Sequence, residues 1–88
     1  MIDRAVTIVN PLGLHARPAA QFVRVASTFQ SHIELVKDGM VINGKSIMGV
    51  MMLAAEQGAT LTIQADGPDA EAALDALARL IADGFGES

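Results

Sequence analysis

Cysteine, tryptophan and tyrosine are all missing from this 88-residue sequence. Without cysteine there is neither a disulfide framework nor a thiolate metal site. Phe22, Phe29 and Phe85 are the only aromatic residues, so whatever core forms must be mostly aliphatic. No apolar stretch approaches the roughly eighteen residues needed to span a bilayer, and no basic segment followed by an apolar one marks a secretory leader. A soluble, unprocessed, cytoplasmic protein is the expectation. His15 and His32 are too far apart in sequence to suggest a zinc site, so neither metal nor cofactor is expected. The net charge of −4 speaks against nucleic acid, whose phosphate backbone selects a basic face. Acidic residues are also absent from one long stretch: between Asp3 and Glu34 there is no carboxylate, only Arg4, His15, Arg17, Arg24 and His32. That predicts a locally positive region on an acidic protein.

What is present is a chain that is 51% apolar and long enough for one core, so residues 1–88 are read as a single domain. Ala5 to Val9 alternates as a strand, and Asn10, Pro11 and Gly13 break it. A helix is predicted after His15, with Pro18 in its first turn and Ala19, Phe22, Val23, Ala26 and Phe29 on its inner face. His32 to Lys37 alternates again, and Asp38-Gly39 is a two-residue hairpin signal leading into Met40-Val41-Ile42. Ser46 is placed to cap a short, unusually apolar helix that starts at Ile47 and ends near Gly58. Ala59 to Ala65 reads as a fourth strand. Asp66-Gly67-Pro68-Asp69 then opens a helix with Leu74, Leu77, Ile81 and Phe85 as its buried stripe and Gly84 as its stop. The order βαββαβα suggests an α+β fold, an antiparallel four-stranded sheet with three helices on one face.

The segment Gly13-Leu14-His15-Ala16-Arg17-Pro18 carries the most chemistry. A helix start offers unpaired N–H groups and about half a positive charge, and Arg17 lies near enough in sequence to share an anion with His15. The motif reads as a place to hold a phosphoryl group. The plainer alternative is a histidine that caps a helix in a non-catalytic regulatory binding domain.

Gly39 to Ser46 also fits the nucleotide-binding P-loop pattern letter for letter. Its four variable positions are Met-Val-Ile-Asn, which favour strand, and its first glycine belongs to the hairpin. Nucleotide hydrolysis is therefore set aside, since it also needs a parallel sheet and a magnesium carboxylate. Ser46 is first of all a helix cap, and a capping serine is equally a good phosphorylation switch. Met48, Met51 and Met52 cannot all point inward from so short a helix. Met48 and Met51 are therefore predicted to form an adaptable docking patch beside Arg17, Ala20 and Arg24.

The residues Asn10 to Ala20 and Lys45 to Met51 together make the chain resemble the HPr family of histidine-containing phosphocarriers in the bacterial phosphoenolpyruvate-dependent phosphotransferase system. The resemblance implies an open-faced β-sandwich. It further implies that His15 accepts a phosphoryl group on Nδ1 from enzyme I and yields it to a IIA-type protein or domain in sugar uptake, with Arg17 steadying the oxygens. Ser46 matches the position that an ATP-dependent HPr kinase modifies in some bacteria. The nitrogen-related (NPr-type) branch, with the same chemistry and regulatory targets, stays open. The chain is expected to act as a monomer and to be a carrier with no turnover of its own.

Overall fold

The computed structural model describes residues 1–87. Its elements run β1 (Ile2–Thr7), α1 (Ala16–Ala26), β2 (His32–Lys37), β3 (Met40–Asn43), α2 (Ile47–Met52), β4 (Thr60–Asp66) and α3 (Ala70–Ala82). A short 3-10 turn at Gly84–Gly86 follows. The sheet order is β1-β4-β2-β3 with every neighbour antiparallel. This is the open-faced α+β sandwich with three helices over one face.

Alternation decides which residues meet. Ile33 pairs with Ala65 and Leu35 with Ile63, and all four are buried beneath the helices. On the other face Glu34, Val36, Thr62 and Gln64 are only partly covered. The helices contribute Ala19, Phe22 and Ala26 from α1, Val50 from α2, and Leu74, Leu77 and Ile81 from α3. Phe22 lies at the centre of this aliphatic core and is fully buried, so truncating it to alanine costs about 3–5 kcal/mol.

The hairpin forms as its sequence demands. Asp38 and Gly39 both have positive φ (51° and 83°), the geometry of a two-residue turn whose twist matches the flanking strands. Gly44 follows β3, and a Cβ there would stand 2.7 Å from the Ile33 side chain, so the chain can pass close to the core only without one.

Several boundaries differ from the sequence reading. β3 and β4 shift by one residue at their ends. α1 ends at Ala26, so Phe29, expected on its inner face, packs on the core from the turn that follows the helix. β1 covers residues 2–7 where the alternation suggested 5–9. Its partner β4 begins only at Thr60; Ile8 makes two further backbone hydrogen bonds, with Ala59 and Gly58, while the Val9 side chain turns to solvent. α2 ends at Met52 instead of running towards Gly58, and positive φ at Ala54 (50°) marks the chain's departure from it. Phe85 is buried as expected but not on the stripe of α3. The helix stops at Ala82, Gly84 turns left-handed (φ 63°) and Phe85 enters the core from the following turn with φ 58°.

Among the described residues, no helix is long and apolar enough to cross a membrane, and no three His, Cys, Asp or Glu side chains cluster as a metal site.

Candidate functional site

The loop from Asn10 to His15 is fixed at both ends before α1 begins. The Gly13 amide donates to the Asn10 carbonyl at 3.1 Å, and the Asn10 side-chain amide returns a bond to the Gly13 carbonyl at 2.8 Å. Asn10 is 2% exposed, so this reciprocal pair closes the loop away from water. Leu14 buries its side chain and donates its amide to the Ala55 carbonyl at 2.9 Å. Gly13 sits between these anchors with φ 68°, and a Cβ on it would come 2.3 Å from the Ala55 oxygen. Only glycine satisfies both the dihedral and the approach.

His15 is the N-cap residue of α1, in extended conformation (φ −79°, ψ −170°). Its carbonyl accepts the first helical bond, from the Ala19 amide at 3.0 Å, but its ring makes no capping hydrogen bond. The imidazole is therefore not the helix's cap, which removes the premise of the plainer reading. The amides of Ala16 and Arg17 precede the first turn's acceptors, and Pro18 brings no N–H, so the open end beside the ring holds unpaired donors. The His15 side chain is 37% exposed. Arg17 and Arg24 are exposed, Ala20 is half-covered, and neither arginine makes a hydrogen bond or ion pair among the described residues.

One neighbour was not legible in the sequence. The Glu87 carboxylate stands 3.0 Å from His15 Nε2, and its other oxygen accepts from the Asn10 side-chain amide at 3.1 Å. The stretch without acidic residues is thus supplied with one from 72 positions away. Arg17 and Arg24 stay exposed, so the expected locally positive region gains one carboxylate at His15: charge segregated along a chain need not be segregated in space. No local periodicity or motif could have signalled this, because the contact depends on the turn that follows α3. In the sequence Asn10 is a strand breaker and opens the family-like segment; in the structure it also holds both the loop and Glu87.

Ser46 is the N-cap of α2, and its hydroxyl accepts from the Gly49 amide at 3.1 Å. It lies half-buried in that role. Lys45, the lysine of the P-loop-like string, instead donates Nζ to the Phe29 carbonyl at 2.8 Å, while the string's variable positions form β3. No phosphate-cradling loop exists there.

α2 packs on α1 and leaves Met48 (77% exposed), Met51, Met52 and Ile47 open to solvent. Met48 and Met51 are exposed as the sequence suggested. Met52 and Ile47 are exposed with them on α2, and Leu12 of the His15 loop is exposed as well.

Comparison with known proteins places these features in a family. Residues 2–83 match the family model described as the PTS HPr component phosphorylation site. The chain is 51% identical to the phosphocarrier protein HPr of Cupriavidus necator, over 99% of this chain and 98% of that one. Among solved structures it is similar to HPr-C-His from Thermoanaerobacter tengcongensis, with 48% identity, a TM-score of 0.96, and 100% and 99% of the two chains covered. A structure of the HPr dimer from the same organism matches with a TM-score of 0.80 and 48% identity, covering 99% of this chain and 100% of that one.

Proposed function

This chain belongs to the HPr family, the phosphocarriers of the phosphotransferase system, and from that premise we propose that His15 is its acceptor, taking a phosphoryl group on Nδ1 from phosphorylated enzyme I. The group then passes to a IIA-type protein or domain in sugar uptake. Members of this family are carriers, not enzymes. The observation that carries the assignment is a half-exposed imidazole at the open amide end of α1 with its Nε2 engaged and its ring not spent on capping.

The energetics suit a relay. A surface helix end favours an anion by about 1 kcal/mol, and a charge-assisted hydrogen bond from Arg17 adds roughly 2 kcal/mol. Neither is large enough to trap the phosphorylated state, so the group can leave as readily as it arrives. Arg17 meets the phosphoryl oxygens by swinging from the first turn, where its side chain has no competing partner among the described residues.

The methionines of α2, with Ala20 and Arg24 of the adjacent helix, form the docking surface for both partners. Flexible thioether side chains can pack against two different proteins, and the arginines select acidic ones. Phosphorylation of Ser46 by an HPr kinase would place a dianion at the edge of this surface and slow encounter without touching His15. Every group of this chain in the relay lies on one protomer, so a monomer suffices, working in the cytoplasm.

The test is incubation with enzyme I and phosphoenolpyruvate. One acid-labile, base-stable phosphate per chain is expected on His15, and a His15→Ala variant that labels equally would refute the assignment.

A further inference from the structure

Glu87 lies outside the residues that the family model matches, yet among the described residues it is the group in polar contact with the proposed acceptor ring. It is held there from several sides. Phe85 plugs into the core, Gly84 lies alongside the loop at Asn10 and Val9, and the Glu87 amide donates to the Gly84 carbonyl at 3.0 Å. The carboxylate is then shared between Asn10 and His15, with the Glu87 side chain only 21% exposed. The orientation of the Asn10 amide is not arbitrary: its two partners, the Gly13 carbonyl and the Glu87 carboxylate, are both acceptors, so the NH2 group must face them.

We infer that Glu87 is a positioning residue: its carboxylate holds the imidazole proton of His15 on Nε2, and so presents the lone pair of Nδ1 to the incoming phosphoryl group. This rests on the carrier reading of His15. A carboxylate can only accept, so a 3.0 Å contact with Nε2 requires that nitrogen to carry hydrogen. In the neutral ring the lone pair must then reside on Nδ1, which makes no hydrogen bond among the described residues.

The role continues through the transfer. As the Nδ1–P bond forms, the bond from phosphorus to the donor breaks and its electron pair leaves with the donor. The proton stays on Nε2, the ring becomes cationic, and Glu87 pairs with the charge it acquires. A buried carboxylate does the same for the histidine of a serine protease, fixing its tautomer and stabilising its imidazolium. Here the carboxylate is delivered from the far end of the chain. Asn10 links it to the loop that positions the ring, so loop, ring and carboxylate form one unit.

The experiment reads the tautomer directly, by 15N NMR of the histidine ring at a pH where His15 is neutral, in the full unphosphorylated chain. In the natural sequence the Nε2–H form is expected alone. In Glu87→Ala the Nδ1–H form is expected to rise to the share found in a free histidine, and phosphoryl uptake from enzyme I to slow about tenfold. Glu87→Gln keeps an acceptor oxygen without the charge, so it should restore the tautomer and only part of the rate. A structural role for Glu87 would leave the tautomer unmoved. The inference is overturned if Glu87→Ala shows the tautomer of the natural sequence, whether or not transfer slows. If the natural chain takes up no phosphoryl group, the carrier reading fails instead, and the tautomer measurement still decides whether Glu87 holds the ring.

Discussion

Two helix starts in this molecule carry a side chain suited to phosphorylation, and they use it in opposite ways. His15 and Ser46 are both N-cap residues in extended conformation. The Ser46 hydroxyl is turned inward and bonded to its own helix, whereas the His15 ring faces outward and is held from behind by another part of the chain. A third N-cap, Asp69, also looks away from its helix: its carboxylate accepts from the Gln30 and Ser31 amides and the Ser31 hydroxyl. A side chain that caps its helix, as Ser46 does, must give up that bond to be modified; the His15 ring is spared this because other groups do the work of terminating its helix. At α1 that work is done by the Asn10–Gly13 pair and the Leu14–Ala55 bond, which fix the entering chain and free the ring.

The strongest way to break the comparison is to remove each side chain. His15→Ala should abolish phosphoryl uptake, a loss above about a thousandfold, while costing about 1 kcal/mol of stability because only a part-exposed hydrogen bond to Glu87 is lost. Ser46→Ala should also cost about 1 kcal/mol, through the lost cap, but leave His15 labelling intact; denaturant titration and the labelling assay read the two effects.

A test of the anchors comes next. Gly13→Ala should destabilise the fold by about 2–3 kcal/mol, since its Cβ meets the Ala55 oxygen at a positive φ. The same variant should slow transfer more than a core substitution of equal cost, because it displaces the His15 loop itself. Equal slowing by both would mean that the loop anchors do not position the ring.

Ser46→Asp sharpens the contrast between chemistry and docking. A charge at the α2 start should lower the rate of encounter with enzyme I by about tenfold, with the 15N tautomer of His15 unchanged. A carboxylate accepts at the N-cap as serine does, so the fold should persist.

The smallest effect concerns Asp69. The Ser31 hydroxyl first, then the Gln30 and Ser31 amides, hold its carboxyl below the ordinary value of 3.8. A carboxyl depressed in the folded state contributes stability that is complete above its unfolded value and lost as pH falls through its folded one. Asp69→Asn should therefore flatten the acid limb of a stability profile below about pH 4 and leave the neutral region's pH dependence unchanged.

Much of this was readable along the chain. β2 was legible in full at His32–Lys37, because alternation with β-branched residues has no competing interpretation there. The Asp38-Gly39 turn was equally clear, since few dipeptides accept two positive φ values in succession. The limits of β1 and α2 were less so, because a strand extends as far as its partner does and a short apolar helix has no composition that marks its end. The Glu87 contact lay beyond any local signal.

By itself, then, the sequence determined the order of elements, the sheet's hydrophobic face, the glycine turns and the histidine at a helix start, all of which follow from local dihedral preference and periodicity. Tertiary structure alone decided which groups stand beside that histidine. Contacts between residues 72 positions apart depend on how α3 ends and where Phe85 finds space in the core, and no short-range pattern encodes them.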